Sequence, residues 1–239
     1  MRRWFKSAIF VVGVFLMLSS AAYAQLSEDL ELNVFGAGSI YSMKNFEIGF
    51  PQSAAPIQAQ FKLDKAFRGG LRVNVYTGGH WGEEFFYSYE PNKAHFQRPT
   101  TPPNSLDLNI QIHNLGVNAL YYLSDDKTRR VRPFLSVGIG TTLYRPTGQA
   151  EAIVRDPLRG NVPDLHTAHE IAMNYGAGFK AKLGSWIGFR FDVRGFLGRN
   201  PSFGLARESN DPNATVFPAG GAIHNGEASA GLVFYFKKQ

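Results

Sequence analysis

The chain of 239 residues contains no cysteine. That excludes a disulfide scaffold, a thiolate metal centre and a lipid-modified N-terminal cysteine. Beyond residue 24 no run of 18 or more apolar residues occurs, so no membrane-spanning helix is expected. Charge is sparse, at 18% of residues, and its imbalance is local. Three of the basic residues, Arg2, Arg3 and Lys6, crowd the first six positions, and without them the formal charge falls from +6 to about +3. A nucleic-acid partner is therefore not indicated.

What the chain does have is glycine and aromatics: 25 Gly, 20 Phe and 10 Tyr at a mean hydropathy of only −0.19. Weak overall hydrophobicity with many aromatics suits a barrel in which alternate residues alone touch lipid. Residues 1–24 read as a secretory signal peptide. The basic start is followed by the apolar run Ala8–Leu18 and an A-x-A cleavage site at Ala22-Tyr23-Ala24. That apolar run is too short for the ~20 residues a spanning helix needs. The expected organisation is residues 1–24 as signal peptide and residues 25–239 as one barrel domain.

Eight segments alternate with the period of two that strands require. They are Asp29–Met43, Arg68–Tyr76, Trp81–Phe96, Leu106–Leu123, Arg130–Tyr144, His169–Leu183, Trp186–Gly198 and Glu227–Phe236. In the fourth, Leu106, Leu108, Ile110 and Ile112 occupy one phase, whereas Leu115, Val117, Ala119 and Tyr121 occupy the other. A β-bulge at His113-Asn114 would absorb that switch. The connections alternate between long (Lys44–Phe67, Gln97–Ser105, Arg145–Ala168, Arg199–Asn225) and short (Thr77–His80, Ser124–Arg129, Gly184–Ser185). The reading is an all-β fold, a transmembrane antiparallel up-and-down β-barrel of eight strands with short turns on the periplasmic side. Trp81, Tyr121, Tyr122, Trp186 and Phe236 would then fall at one rim as an aromatic girdle.

In the last strand Ala228, Ala230, Leu232, Phe234 and Phe236 share one face, and Glu227, Ser229, Gly231, Val233 and Tyr235 the other. The pattern Ser229, Gly231, Phe234, Phe236 resembles the C-terminal signal that the barrel-assembly machinery reads in bacterial outer-membrane proteins. With it, residues 25–239 resemble the small eight-stranded outer-membrane barrels of the OmpA, OmpX and opacity-protein class. The resemblance implies outer-membrane lipid and lipopolysaccharide as surroundings, and periplasmic chaperones and the assembly machinery as partners during biogenesis. It implies a multi-pass bacterial outer-membrane location after signal cleavage.

Charged residues in the polar phases should face the lumen, because Arg or Lys at the bilayer midplane costs about 2–4 kcal/mol. Glu31, Arg72, Glu84, Asp107, Arg132, Glu170, Lys180, Arg190, Asp192, Arg194 and Glu227 form this expected polar network, with Glu90, His113 and Lys182 beside them. An eight-stranded barrel is only wide enough for side chains to fill it. A salt-bridged plug is thus the expected interior, and a narrow small-solute channel is the alternative. A soluble barrel with the faces reversed fits the alternation equally well, but not the girdle, the loop lengths or the final strand.

No catalytic constellation emerges. His113 is followed by Asn114-Leu115-Gly116, without the serine that lipid A deacylases of this size place beside their histidine. A lipid A-modifying enzyme is accordingly the weakest reading. His166 and His169, three apart near Asp164, point to opposite faces of a strand and suggest no metal site. No cofactor is expected. Gly36-x-Gly38 and Gly138-x-Gly140 lack a strand–helix context for nucleotide binding and are read as relieving crowding on curved strands. Function is expected in the long loops, where Ile153, Val154, Phe203 and Phe217 lie among Arg145, Arg155, Arg159, Arg199 and Arg207. The reading is a surface role, with adhesion or contact with an extracellular ligand through those loops.

Overall fold

A computed structural model of the chain describes residues 30–42, 46–47, 58–97, 105–155, 165–204 and 222–236. The signal segment 1–24 lies outside the described residues. The elements are β1 (Leu30–Ser42), β2 (Phe46–Glu47), β3 (Gln58–Leu63), β4 (Ala66–Gly78), β5 (Trp81–Gln97), β6 (Ser105–Tyr122) and β7 (Val131–Pro146). A short helix α1 (Gly148–Arg155), β8 (Ala168–Lys182), β9 (Ile187–Arg199) and β10 (Ala222–Phe236) follow. Around the wall the order is β1, β4, β5, β6, β7, β8, β9, β10, each antiparallel to the next. Pairing of β1 with β10, from Leu30↔Phe236 to Ser42↔His224, closes the barrel. Closure satisfies the backbone polar groups that hydrocarbon could not.

Beyond the eight walls, two strands appear inside the connection read as the loop Lys44–Phe67. β3 pairs with the outer end of β5, from Gln60↔Gln97 to Leu63↔Ala94, and β2 pairs with β3. β4 begins at Ala66 and β10 at Ala222, both earlier than the alternation alone indicates. The turn between β4 and β5 is tight, with Gly78 and Gly79 at φ of 119° and 55°, a region open to glycine at no steric cost. The register shift between Tyr76 and Gly78 sits at that turn.

The bulge expected at His113-Asn114 is not there. β6 pairs with β5 without a break from Trp81↔Tyr121 to Gln97↔Ser105, and with β7 from Ile110↔Pro146 to Tyr122↔Phe134. Even-numbered residues of β6 from Leu108 point inward along its whole length, so Leu108, Ile110 and Ile112 are buried inside the barrel. What switches is the surroundings. In the lower part of the wall the outward residues are apolar, with Phe85, Tyr87, Leu135, Val137, Ile139, Val193 and Leu232 exposed. Above the Tyr89↔His113 pair the outward residues of β5 and β6 become Lys93, His95, Gln111, Asn109 and Asp107. There the interior becomes apolar, a cluster of Leu63, Ala94, Leu108, Ile110, Ile112, Tyr144, Ala150, Val154, Ala168, Phe203 and Ile223.

This inversion locates the membrane. A strand in lipid turns its oily side chains out, and one in water turns them in. Trp81 and Tyr89 are eight residues apart, about 27 Å of strand, or roughly 20 Å of height at a tilt near 40°. The wall beyond them stands clear of the acyl chains, and α1 caps it by burying Ala150 and Val154 in the mouth. Val154 and Phe203, read above as loop residues, belong to this plug.

Glycines do two different jobs. At Gly138 and Gly140 an added methyl would strike the backbone of β6, and at Gly138 also the side chain of Asn118, so close strand approach requires them. Gly36 and Gly38 instead face outward with nothing within 4 Å, and crowding does not account for them.

A nitroxide at Leu115, outward within the apolar band, should be accessible to oxygen and shielded from a water-soluble relaxant. One at Asn109, outward on the same strand but six residues higher, should show the reverse. Lipid exposure at both would contradict the inverted wall.

Candidate functional site

The lumen holds twelve buried charged side chains among the described residues, six basic and six acidic: Arg68, Arg72, Arg132, Lys180, Arg190 and Arg194 against Glu31, Glu84, Glu90, Glu170, Asp192 and Glu227. Strand alternation on β1, β4, β5 and β7 to β10 aims them inward, and antiparallel register stacks them in tiers. At the tier beside the short β4–β5 turn Lys180 pairs with Glu31 and donates to the Tyr122 hydroxyl at 2.7 Å. The Arg132 guanidinium lies 4.1 Å from the Tyr122 ring centroid. In the middle tier Arg190 Nε and Nη2 donate to the two oxygens of Asp192 at 2.8 and 2.9 Å, and Nη2 also lies 2.7 Å from Glu84 Oε2. Arg194 Nη2 bridges Glu84 (2.8 Å) and Asp192 (3.0 Å).

Arg72 links this tier to the next. Its Nη1 pairs with Asp192 at 3.2 Å, and Nη2 donates to Glu227 Oε1 at 3.0 Å and Ser229 Oγ at 2.9 Å. Above it Arg68 spans Glu227 (2.7 Å) and Glu90 (2.8 Å). Glu90 also accepts from Ser39 Oγ at 2.7 Å and the Tyr41 hydroxyl at 2.8 Å. Signs thus alternate along the axis: Glu84, Arg190, Asp192, Arg72, Glu227, Arg68, Glu90. Each charge meets opposite charges, which offsets part of the desolvation cost of burial.

Phenylalanines fill the gaps. Arg72 sits 3.6 Å from the Phe35 ring centroid, Arg190 4.5 Å from Phe134, Arg68 5.6 Å from Phe196 and Arg194 5.9 Å from Phe86. A Cβ on Gly70 would lie 2.5 Å from the Phe35 ring, so glycine there makes room for the stack. These rings occupy polar phases of their strands, and that placement is the signal the alternation carried for them. Arg68 shares the phase of Arg72, four residues on.

At the outer edge of the network a cavity of about 10 Å³ is lined by Thr142, Tyr144, Glu170, Phe196, Ile223 and Asn225. That is near the minimum that admits one water. Lys182 lies at the short-turn rim, where its Nζ donates to the Lys127 carbonyl.

Three residues stand elsewhere than their expected places. Asp107 is outward and exposed, hydrogen-bonded to His95, because it lies above the inversion. His113 is also outward and pairs with the Tyr87 hydroxyl at 2.9 Å. Tyr122 is 2% exposed and belongs to the lumen, since it follows Tyr121 by one residue and takes the opposite face. The girdle positions Trp81, Tyr121, Trp186 and Phe236 are outward, with Trp81 edge-on to Tyr121 at 5.1 Å and Trp186 stacked on Phe234 at 6.3 Å. Ser229 faces the lumen, and Gly231 shares its phase against the Asn33 side chain. Arg159, Arg207, Phe217 and Asp164 lie outside the described residues.

A second polar cluster lies outside the barrel. His95 Nδ1 is 2.7 Å from Asp107 Oδ1, and Nε2 is 3.0 Å from Asp64 Oδ1. Carboxylates only accept, so the ring donates to both of them from its two nitrogens when it is an imidazolium. Partial burial opposes that charge, but the hydrogen bonds and charges of Asp107 and Asp64 outweigh it, and the His95 pKa is raised. The pair ties the β3–β4 turn to β6. Lys62 and Lys65 line the same cleft.

Replacing Arg190 by Met should lower the unfolding free energy in liposomes by about 3–5 kcal/mol, since Glu84 and Asp192 lose a buried partner. Urea titration followed by tryptophan fluorescence measures it. The His95 clamp should be fully present below the ordinary histidine pKa of about 6.5 and weaken as pH rises through the raised value. Amide exchange at Leu63 and Asp64 should accelerate over that window in wild type, and be fast and flat in His95→Ala.

Among curated proteins none matches the sequence. Among solved structures the fold is similar to the outer membrane protein OprG from Pseudomonas aeruginosa, with a TM-score of 0.57 and 13% identity over 89% of this chain and 97% of that one. It is also similar to the outer membrane protein AlkL, determined by solid-state NMR in DMPC bilayers, at a TM-score of 0.50 and 14% identity over 88% and 90%. Neisserial surface protein A aligns over 87% and 99% at 12% identity and a TM-score of 0.48. These likenesses concern the fold. The outer membrane protein beta-barrel domain family matches residues 10–236. With a closed eight-stranded wall, an oily exterior and an ion-paired lumen, the chain belongs to that family of bacterial outer-membrane barrels.

Proposed function

We propose that this protein is a closed-lumen envelope barrel that acts at the cell surface through its outer loops, without catalysis and without conducting solutes. The observation that carries this reading is the ladder of buried, mutually paired charges across the bore. Arg72, Arg190, Glu84 and Glu90 are at most 2% exposed, and the apolar plug around Ile112, Val154 and Phe203 covers them from outside. A solute would have to break several ion pairs and displace the plug. In this reading the signal peptide is removed before Gln25. Ser229, Gly231, Phe234 and Phe236 are presented to the assembly machinery before β1 closes on β10. The loops, held on a rigid wall, meet an extracellular ligand.

The purified, refolded protein in planar bilayers should give no reproducible unitary steps under moderate voltage. A double substitution that removes half of the middle tier, Glu84→Ala with Arg190→Ala, should produce them if the network is what closes the bore. Unitary steps in the wild type would instead establish the small-solute channel.

A further inference from the structure

Arg132 is the first inward residue of β7 and stands at the short-turn mouth of the bore, opposite Lys180 in the β7–β8 register. It is 7% exposed, yet neither its Nε nor its Nη2 has a hydrogen-bond partner among the described residues. These two N–H groups project side by side from one edge of the guanidinium, and together they form the fork that grips a two-oxygen anion. Two other lumen arginines show what this edge takes. In Arg190 the same nitrogens hold the two oxygens of Asp192 at 2.8 and 2.9 Å, and in Arg68 both meet Glu90 Oε2, at 3.0 and 2.8 Å. Arg72 and Arg194 also leave Nε unpartnered, but their Nη2 groups engage carboxylates. Among the described lumen arginines, Arg132 alone has the whole fork open.

The charges of the lumen balance in number but not in place. Arg68, Arg72, Arg190 and Arg194 share Glu84, Glu90, Asp192 and Glu227, and Lys180 holds Glu31. The sixth acid, Glu170, pairs in register with Thr142, ten residues along β7 from Arg132, or about 33 Å of strand. Cations gather instead around Arg132. Lys127 Nζ lies 4.0 Å from the Tyr76 ring centroid, and Lys182 donates to the Lys127 carbonyl. The nearby acids are occupied: Glu31 also accepts from Asn74, and the exposed Asp126 accepts from Thr128 N and Oγ1 at 2.8 and 2.6 Å, with Arg129 at 4.0 Å. The Tyr122 and Tyr76 rings pack on the Arg132 guanidinium, 4.1 and 5.1 Å from their centroids. Rings attract the cation through their faces, whereas an N–H edge needs an acceptor, and a buried edge without one costs free energy that an anion would return.

We infer that the Arg132 fork is a binding site for a small oxyanion, a carboxylate or a phosphate, that enters the bore from the short-turn side. Two of its oxygens meet Nε and Nη2, the tyrosine rings hold the guanidinium plane, and the lysines around the mouth supply field without competing for the fork. A monatomic anion offers no pair of oxygens to match that edge. Arg132 lies outside the ladder of Glu84, Arg190, Asp192, Arg72, Glu227, Arg68 and Glu90, so a ligand reaches it without breaking those pairs. The site is independent of the outer loops and of whether the bore conducts.

The test titrates the folded, isotope-labelled protein in zwitterionic bicelles with acetate, with inorganic phosphate and with chloride, at matched ionic strength. NMR reads the Arg132 Nε–H resonance and the Ser124 and Lys180 amides. Acetate or phosphate should shift these signals to saturation and bind roughly tenfold more tightly than chloride, the worth of one hydrogen bond to a charged group. The tighter of the two identifies the source as carboxylate or phosphate. Arg132→Lys keeps the charge but removes the fork, and should bind that anion roughly tenfold more weakly. Arg129→Gln, on the neighbouring turn, should bind like wild type. Signals that move with neither oxyanion would mean that water alone meets the fork, and would overturn the inference. Equal affinity for chloride, or undiminished binding in Arg132→Lys, would overturn it too, since charge without the fork would then suffice. The comparison of anions on wild type decides the question even if the lysine variant fails to fold. Conductance is not read, so failure here leaves the closed-lumen reading standing.

Discussion

Ionised side chains cannot face hydrocarbon, and an eight-stranded wall leaves them one other place to go. Every other feature of the lumen follows from that constraint. Once twelve charges are forced into a bore barely wider than a side chain, they must be arranged so that none lies beside its own kind without a counter-charge. Arg72 and Arg190 meet this by sharing Asp192, and Arg68 and Arg72 by sharing Glu227. The lumen-facing phenylalanines complete the solution, since a guanidinium face stacks on a ring while its edge is engaged by carboxylates.

The wall is two barrels in one strand set. In the bilayer it is polar inside and oily outside. Above the bilayer, along β5 and β6, it is oily inside and polar outside. The backbone does nothing special at the boundary, as the unbroken β5–β6 register shows. Only the solvent changes. The upper half therefore has an ordinary hydrophobic core, with Ile112, Leu108 and Ile223 buried, and α1 and β3 are the pieces that close it over. This places two unlike sealing devices in series along one axis.

How much of this was legible depended on whether one rule held along the strand. On β9 and β10 it did. Arg190, Asp192, Arg194, Glu227 and Ser229 fall in one phase, with Phe191, Val193 and Leu232 in the other, and the alternation gives the face of each. On β6 two environments act on one strand, and alternation alone reports hydrophobicity without saying which face is wet. Asp107 and His113 were thereby assigned to the lumen, and a bulge was needed to reconcile the halves. Tyr122 was misplaced for a simpler reason: adjacent tyrosines cannot share a face, and the rim took Tyr121. Phe35, Phe86, Phe134 and Phe196 were passed over because a ring in a polar phase contradicts the pattern until the guanidinium it covers is known. The Asp64–His95–Asp107 clamp depends on β3, which no alternation pattern announced.

The seam between β1 and β10 has a bearing on how this molecule comes into being. Leu30 meets Phe236, and the guanidinium of Arg68 meets a carboxylate 159 positions away. Such distant partners impose a heavy loop-closure cost before any gain arrives. Until the final strand docks, Glu227 is missing and both Arg68 and Arg72 are deprived of a shared acceptor. A partly inserted sheet would leave Arg68 with Glu90 alone and Arg72 without its Glu227 partner, a state costlier than the closed barrel. Insertion and zippering must therefore occur together, and β10, which carries Glu227, acts as the latch that completes them.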